Sequence, residues 1–449
     1  MNDITTDNGQ VEMPVVIPIE AYVSEAYARE ENEKLWPKVW QIACREEELK
    51  KVGDYVTYEI LDESIIVVRS APGKISAYYN ACKHRGRRLT EGCGHTKQFY
   101  CKFHGWRWNI DGESQFVLDA EDWEDALTKD NLRLTQVQVA CWGGWVWINM
   151  DSNCEPLRDY LNPASPMLDA FEFAKMRYRW RQWLYFPCNW KTALESFIES
   201  YHVDATHPQL TAWGTNRWWS RAEGKHAWHG VGQARGGAAR AGAGSITVGA
   251  QDGQDPRVTM AELFKELWIT VGTTTQTLVD AADRLKDEVA EGTPPDQIAG
   301  HLMMSAAKAD AERGVVWPQM SPQHYAACGL DWHIFPNSAI LPGITYALCY
   351  RSRPNGYDPN SCIFEVYILE RYPEGQEPKT EWVYEPDPGE EKWKRILAQD
   401  FKNMPEIQRG MKSRGFDGPR PNPKQEIPII HFHRTLAEYM GTGVPVPLK

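Results

Sequence analysis

Two short stretches constrain this chain more than any others: Cys82-Lys83-His84 and Cys101-Lys102-Phe103-His104, separated by sixteen residues. Each offers one thiolate and one imidazole, donors that suit zinc or iron–sulfur chemistry. A structural zinc finger presents its cysteines first and its histidines afterwards, whereas here each stretch gives one of each. That order suits a [2Fe–2S] cluster in which Cys82 and Cys101 hold one iron and His84 and His104 the other, with structural zinc as the rival. Neutral imidazoles in place of thiolates raise the potential of such a cluster. Cys93 and His95 lie between the stretches without the second spacing and read as structural residues.

The surroundings are strand-like. DYVTYEI, SIIVVR and ISAYYN between residues 54 and 80 read as strands, the last two split by Ala71-Pro72-Gly73, with further strands expected at Phe103–Ile110 and Trp142–Met150. An amphipathic helix is expected before them, over Ser24–Trp40, with Ser24 as its N-cap. Helical patterns lengthen after residue 156, at Trp190–Val203, Met260–Gly292, Pro295–Arg313 and Gly389–Met411. Strands are expected at Asp331–Phe335, Ile344–Tyr350 and Ser361–Leu369. Gly230–Gly253, rich in Gly and Ala, reads as a loop. The fold class expected is α+β: a small all-β domain over 40–155, and a larger α+β domain with a central antiparallel sheet from 1–39 and 156–449.

Composition excludes several classes. A formal net charge of −12 argues against nucleic acid as a partner. No run approaches the roughly 20 apolar residues of a membrane span. The opening MNDITTDNGQVEMP has neither a basic nor an apolar signal region, so a cytoplasmic location is expected. Ten cysteines in 449 residues are too few for a disulfide scaffold and read as thiols or metal ligands.

A second donor set lies in NWKTALESFIESYHVDATHP, residues 189–208. On a continuous helix Glu195, Glu199 and His202 share a face. His207 would sit about 140° round from His202, so both can meet one metal only if the helix breaks. Pro208 favours that break, since it drives its predecessor out of helical conformation. Two His and a carboxylate from elsewhere make the facial triad of non-haem Fe(II) oxygenases. Asp400 is the candidate, set among Trp393, Leu397, Met404, Ile407 and Met411 at helical spacing. A carboxylate on a buried stripe must be paired, protonated or metal-bound; from periodicity alone a salt-bridged Asp stays open.

Taken together, CxHRG, CxxHGW, NWKxxxExxxExYHxxxxHP and the QD…QRGM segment resemble the α subunit of Rieske non-haem iron oxygenases, the aromatic-ring-hydroxylating kind, over nearly the whole chain. The resemblance implies a Rieske [2Fe–2S] cluster, and a mononuclear Fe(II) held by His202, His207 and Asp400. It also implies a terminal oxygenase that hydroxylates an aromatic or other apolar substrate with O2. Ring dihydroxylation is the favoured reaction, and a monooxygenase or demethylase acting off the ring is the alternative. Electrons would come from NAD(P)H through a separate reductase, with or without a ferredoxin, because no dinucleotide fingerprint is present; GVGQARGG lacks the strand and helix such a motif needs. The implied assembly is a homotrimer, with or without a small β subunit. Glu199 stands where the family usually has an aspartate bridging the two metal centres, and would bond His202 in its own chain and His104 of the next. Ser196 stands where many relatives have Asn. Both departures keep monooxygenases in play. A di-iron reading of Glu199/His202 with Glu223/His226 is disfavoured by the glycine-flanked GKHAWHG, and an electron carrier with a dead second site by the intact triad. Phe197, Trp213 and Trp218 are candidate pocket walls, and His226, His229 and His333 candidate substrate contacts.

Overall fold

A computed structural model describes residues 9–211, 216–234 and 254–449. The chain divides into two compact units: Arg29–Tyr160, and the residues up to Ala28 together with Leu161–Lys449. Among the described residues no helix is long and apolar enough to cross a membrane.

The unit Arg29–Tyr160 is built on an all-antiparallel sheet of seven strands. Their order is Gln41–Arg45, Trp145–Asn149, Gln136–Trp142, Lys74–Tyr79, Glu63–Ala71, Asp54–Ile60, Cys93–His95. The three strands expected between residues 54 and 80 are present. Alternation sets their faces: Val56, Tyr58 and Ile60 are buried while Thr57 and Glu59 between them are not. The strand expected at Trp142–Met150 is the second half of a hairpin whose turn, Gly143-Gly144, has both φ angles positive. A second sheet holds Gln98–Tyr100, Arg107–Asn109 and Ser114–Phe116. Phe103–Ile110 therefore shrinks to Arg107–Asn109, because the residues before it form a loop. Ile66, Val68, Tyr78, Leu89, Phe99, Trp106 and Trp108 pack into one core with Cys82 and Cys101.

The other unit carries an eight-stranded sheet. Its order is Asn216–Glu223, His226–Ala234, Asp331–Ile334, Ser338–Pro342, Tyr346–Pro354, Cys362–Glu370, Arg177–Phe186, Val383–Tyr384, antiparallel throughout except the last pair. Five of these strands were not foreseen, among them the short Ser338–Pro342 and Val383–Tyr384. Arg177–Phe186 mixes Arg, Gln and aromatics with no clean alternation in burial, and the first two form a hairpin in a Trp- and Gly-rich stretch. Gly230 to Ala234 thus belongs to a strand rather than a loop, and 235–253 lie outside the described residues. Tyr346–Pro354 and Cys362–Glu370 are buried along almost their whole length, and Arg351 and Arg353 both bond Glu365 between them. Burial opposes the Glu365 carboxylate, but the two guanidiniums prevail and hold it down to about 2.

The expected long helices are shorter or broken. The first spans Glu25–Lys34, where Ser24 Oγ accepts from the Tyr27 N–H, and a 3₁₀ turn follows at Trp36–Lys38. Met260–Gly292 becomes Pro256–Thr270, Gln276–Asp283 and Leu285–Glu288. Gly272, at φ +80°, ends the first, and Thr275 Oγ1 caps the second at 3.3 Å from the Leu278 amide. Gly389–Met411 splits at Lys394, φ +64°, into Glu390–Trp393 and Arg395–Gly410. Pro295–Glu312 is close to expectation and packs its Leu302 and Ala306 against Leu263 and Leu278.

Candidate metal centres

The two Cys/His stretches fold into loops of one design. In each, the glycine four residues after the cysteine donates its N–H to the cysteine carbonyl: Gly86 to Cys82 at 2.8 Å, Gly105 to Cys101 at 2.9 Å. The cysteine N–H bonds the carbonyl five residues on, Arg87 or Trp106, at 2.9 Å in both. These turns need φ of +77° and +78° at Gly86 and Gly105, which explains the glycine in CxHRG and CxxHGW. The loops bring the Cys82 and Cys101 sulfurs into hydrogen-bond contact and His84 Nδ1 to 3.1 Å from His104 Nδ1. The cysteines are buried and the imidazoles only half so. Trp106 stacks on the His84 ring at 4.9 Å between centroids. Burial pushes the Cys82 thiol up. Burial opposes ionisation of Cys101 as well, yet the N–H groups of Phe103 and His104 aimed at its sulfur bring that thiol below its ordinary value. Sulfur paired with sulfur and nitrogen with nitrogen fits a [2Fe–2S] cluster whose irons divide the ligands by type. Cys93 is exposed on a strand, and His95 bonds Asp54 at 2.9 Å, consistent with structural roles.

The second set forms around a break in the chain. The helix expected over Trp190–Val203 ends at Glu195, eight residues early. Asn189 starts it, its side chain accepting from the Lys191 N–H at 3.0 Å. A four-residue helix, Val203–Thr206, follows His202, and His207 closes it at φ −118°, ψ 69°, the extended turn that Pro208 demands. Glu195 therefore does not share a face with Glu199. It turns away to bond Tyr22 Oη at 2.8 Å and His433 Nε2 at 2.7 Å. Ser196 only donates back to the Thr192 carbonyl.

Asp400 comes from the helix Arg395–Gly410, whose buried face also carries Leu397, Phe401 and Met404; Ile407, expected on that stripe, is exposed. His207 Nε2 is 3.1 Å and His202 Nε2 3.6 Å from Asp400 Oδ1. Metal bonds of about 2.1 Å place neighbouring ligands of an octahedron about 3 Å apart, so the spacing fits one ion. The far nitrogens are fixed by other partners. His202 Nδ1 lies 2.6 Å from Glu199 Oε1, and His207 Nδ1 lies 2.8 Å from Gln399 Oε1, which also accepts from Gln209 Nε2 at 2.8 Å. Those bonds leave both Nε2 lone pairs turned to the same point. Burial disfavours a charged His202, but the Glu199 and Asp400 carboxylates outweigh it and push the empty ring up to about 9.

Other expected contacts sort themselves by the sheet. His229 bonds Ser200 Oγ at 2.7 Å, and Phe197 stacks on Tyr350 at 4.2 Å, Ser200 and Phe197 both lying within the segment that leads to His202 and His207. Trp218 meets His229 edge-on; Trp213 lies outside the described residues. His226 accepts from the Phe335 N–H and His333 reaches the Pro336 carbonyl, both structural bonds. Glu223 and His226 sit on a hairpin, not on the helix a di-iron bundle needs. Gln399 was not foreseen, although it immediately precedes Asp400; a glutamine carries no metal-ligand signal of its own. A separate cavity of about 100 Å³, lined by Trp180, Gln182, Lys392, Trp393 and Lys394, contains no metal-ligating side chain.

Residues 169–442 match the family described as ring hydroxylating alpha subunit, catalytic domain, and residues 39–121 match the Rieske [2Fe–2S] domain. Among the similar curated proteins, the carnitine monooxygenase oxygenase subunit of Escherichia coli K12 is 31% identical over 212 residues, covering 46% of this chain and 56% of that one. The biphenyl 2,3-dioxygenase subunit alpha of Rhodococcus jostii RHA1 is also 31% identical, covering 41% and 42%. The chain thus spans about half the length of the curated relatives it matches. Solved structures resemble it over much more of its length. The quaternary ammonium Rieske monooxygenase CntA with L-carnitine has a TM-score of 0.63 at 18% identity, covering 96% of both chains. Naphthalene 1,2-dioxygenase of a Rhodococcus species has 0.61 at 16%, covering 95% and 94%. The family match over residues 169–442 covers more than half of the chain: the chain belongs to the ring-hydroxylating α-subunit family and carries a Rieske [2Fe–2S] domain.

Proposed function

We propose that this chain is a terminal oxygenase that inserts one atom of O2 into a carbon off any aromatic ring. The observation that carries an oxygenase is the convergence of His202 Nε2, His207 Nε2 and Asp400 Oδ1, with all other polar atoms of the imidazoles engaged elsewhere. Three protein ligands leave coordination positions for O2 at a ferrous ion, and a Rieske cluster supplies electrons singly. The chain's own part is to fix both imidazole tautomers through Glu199 and Gln399 and to bury His207 and Asp400 away from water. The resemblance of Glu199 to a bridging acid supports a trimer in which it also meets His104 of the neighbouring subunit. Electrons from NAD(P)H arrive through a separate reductase.

Monooxygenation is preferred to the ring dihydroxylation expected from sequence. The carnitine monooxygenase subunit aligns over more of this chain than the biphenyl dioxygenase does, and Glu199 departs from the usual aspartate. The overall change is R–H + O2 + 2 electrons + 2 protons giving R–OH + water. Turnover in labelled O2 with a supplied reductase tests it: one labelled atom in the product supports monooxygenation, two in a cis-diol overturn it.

A further inference from the structure

The sheet presents one face to the metal-ligating segment, and its register identifies the residues there. His229 bonds Ser200 in that segment, and Tyr350 stacks on Phe197. Directly opposite His229 across the strand pair stands Asp331, with Ser220 on the other side, and cross-strand partners point to the same face. Trp218, two residues before Ser220, shares that face and meets the His229 ring at 6.2 Å. Tyr350 lies between two acids: burial, then the Asp400 and Asp331 carboxylates, push its hydroxyl up. Asp331 and Asp400 are thus both near enough to Tyr350 to act on its hydroxyl.

Asp331 is an anomaly there. It is 4% exposed, and among the described residues its Oδ1 has no hydrogen-bond partner, while the Trp332 N–H serves the carboxyl. A buried carboxylate without a cation is costly, and burial accordingly pushes this one well up. Among the described residues the neighbouring acids have partners: Asp400 two imidazoles, Glu199 His202 and the Tyr201 N–H, Glu195 Tyr22 and His433, Glu426 the Asn422 N–H. An acid left open beside aromatic rings suits an organic cation, which gains from the charge and from the ring faces together.

We infer that Asp331 is the specificity-determining residue of this oxygenase, and that it selects substrates bearing an ammonium cation, with Tyr350, Phe197 and Trp218 walling the site. The inference rests on the monooxygenase reading above and adds the substrate's charge. The cation's nitrogen is held at Asp331 so that a C–H bond beside it faces the open metal positions.

The test is equilibrium binding to the iron-loaded protein under argon, by calorimetry, using choline, L-carnitine and 3,3-dimethylbutan-1-ol, the uncharged carbon isostere of choline. Wild type should bind choline or carnitine at least about 30-fold more tightly than the isostere. Asp331→Asn preserves shape and hydrogen bonding but removes the charge. It should weaken the ammonium ligands about 100-fold, leave the isostere within about twofold and keep the melting temperature equal or higher. Should Asp331→Asn fail to fold, Asp331→Ser, which also removes the charge, takes its place with the same expected and contrary outcomes. Wild type that oxidises ammonium compounds while Asp331→Asn binds them equally well overturns the inference and spares the monooxygenase reading. Wild type that favours the isostere overturns the inference as well, and diols formed from biphenyl overturn the reading beneath it.

Discussion

Replacing Gln399 by Leu should cost ferrous affinity without touching the cluster. With His207 Nε2 turned to Asp400, its proton sits on Nδ1 and is donated to Gln399 Oε1 at 2.8 Å. His207 is 2% exposed, so no bulk water replaces the lost acceptor. An unpaired buried N–H costs about 1–3 kcal/mol. Translated into binding, that is a loss of about 10- to 100-fold in Fe(II) affinity, the usual worth of a group that orients a metal ligand. Gln209 Oε1, released by the same change, lies close enough to rotate in and sets the lower end of that range. Gln399→Glu keeps an acceptor and should hold affinity near wild type. The assay is an anaerobic Fe(II) titration after the mononuclear iron is stripped, with cluster absorbance as the internal count of folded protein. Gln399→Leu binding Fe(II) within about twofold of wild type would refute the claim that this amide sets the His207 tautomer.

Two further outcomes follow from the same geometry. Glu199→Ala should weaken Fe(II) binding through the freed His202 and, even with iron supplied in excess and the cluster intact, uncouple cluster reduction from product formation, read by rapid mixing with reductase; normal turnover would contradict the bridging role. Glu365→Gln breaks a buried network with Arg351 and Arg353 and should cost about 3 kcal/mol in denaturant unfolding at neutral pH. Because the folded carboxylate titrates near 2, well below the ordinary value of about 4.3, this contribution is full above that value and fades as pH falls toward 2. Wild type and variant should converge in stability over that window, and a gap undiminished at low pH would contradict it.

The parts of this molecule readable from sequence are those whose chemistry is local. Gly86 and Gly105 mark turns that only glycine makes easily, so the cysteine and histidine beside each could be assigned together. Pro208 likewise announced that His207 leaves the helix. Glu195 misled because its spacing to Glu199 and His202 matches a helix that the chain abandons at Ser196; the fixed positions of His202 and His207 outweigh local propensity there. Arg177–Phe186 went unseen because its pattern of exposure is set by neighbours distant in sequence, Cys362–Glu370 and Val383–Tyr384. Asp331 was placed on a strand, but its isolation is visible only once the register aligns it with His229. Gln399 has no signature except position.

The central claim is that one chain holds a two-iron cluster through Cys82, His84, Cys101 and His104 and a separate iron through His202, His207 and Asp400. Iron and acid-labile sulfide counted per chain, in wild type and in Asp400→Ala, test it most directly. The account predicts about three irons and two sulfides in wild type, and about two of each in the variant with the cluster's spectrum unchanged. A variant that keeps the third iron, or a wild type that never binds one beyond the cluster, would contradict it.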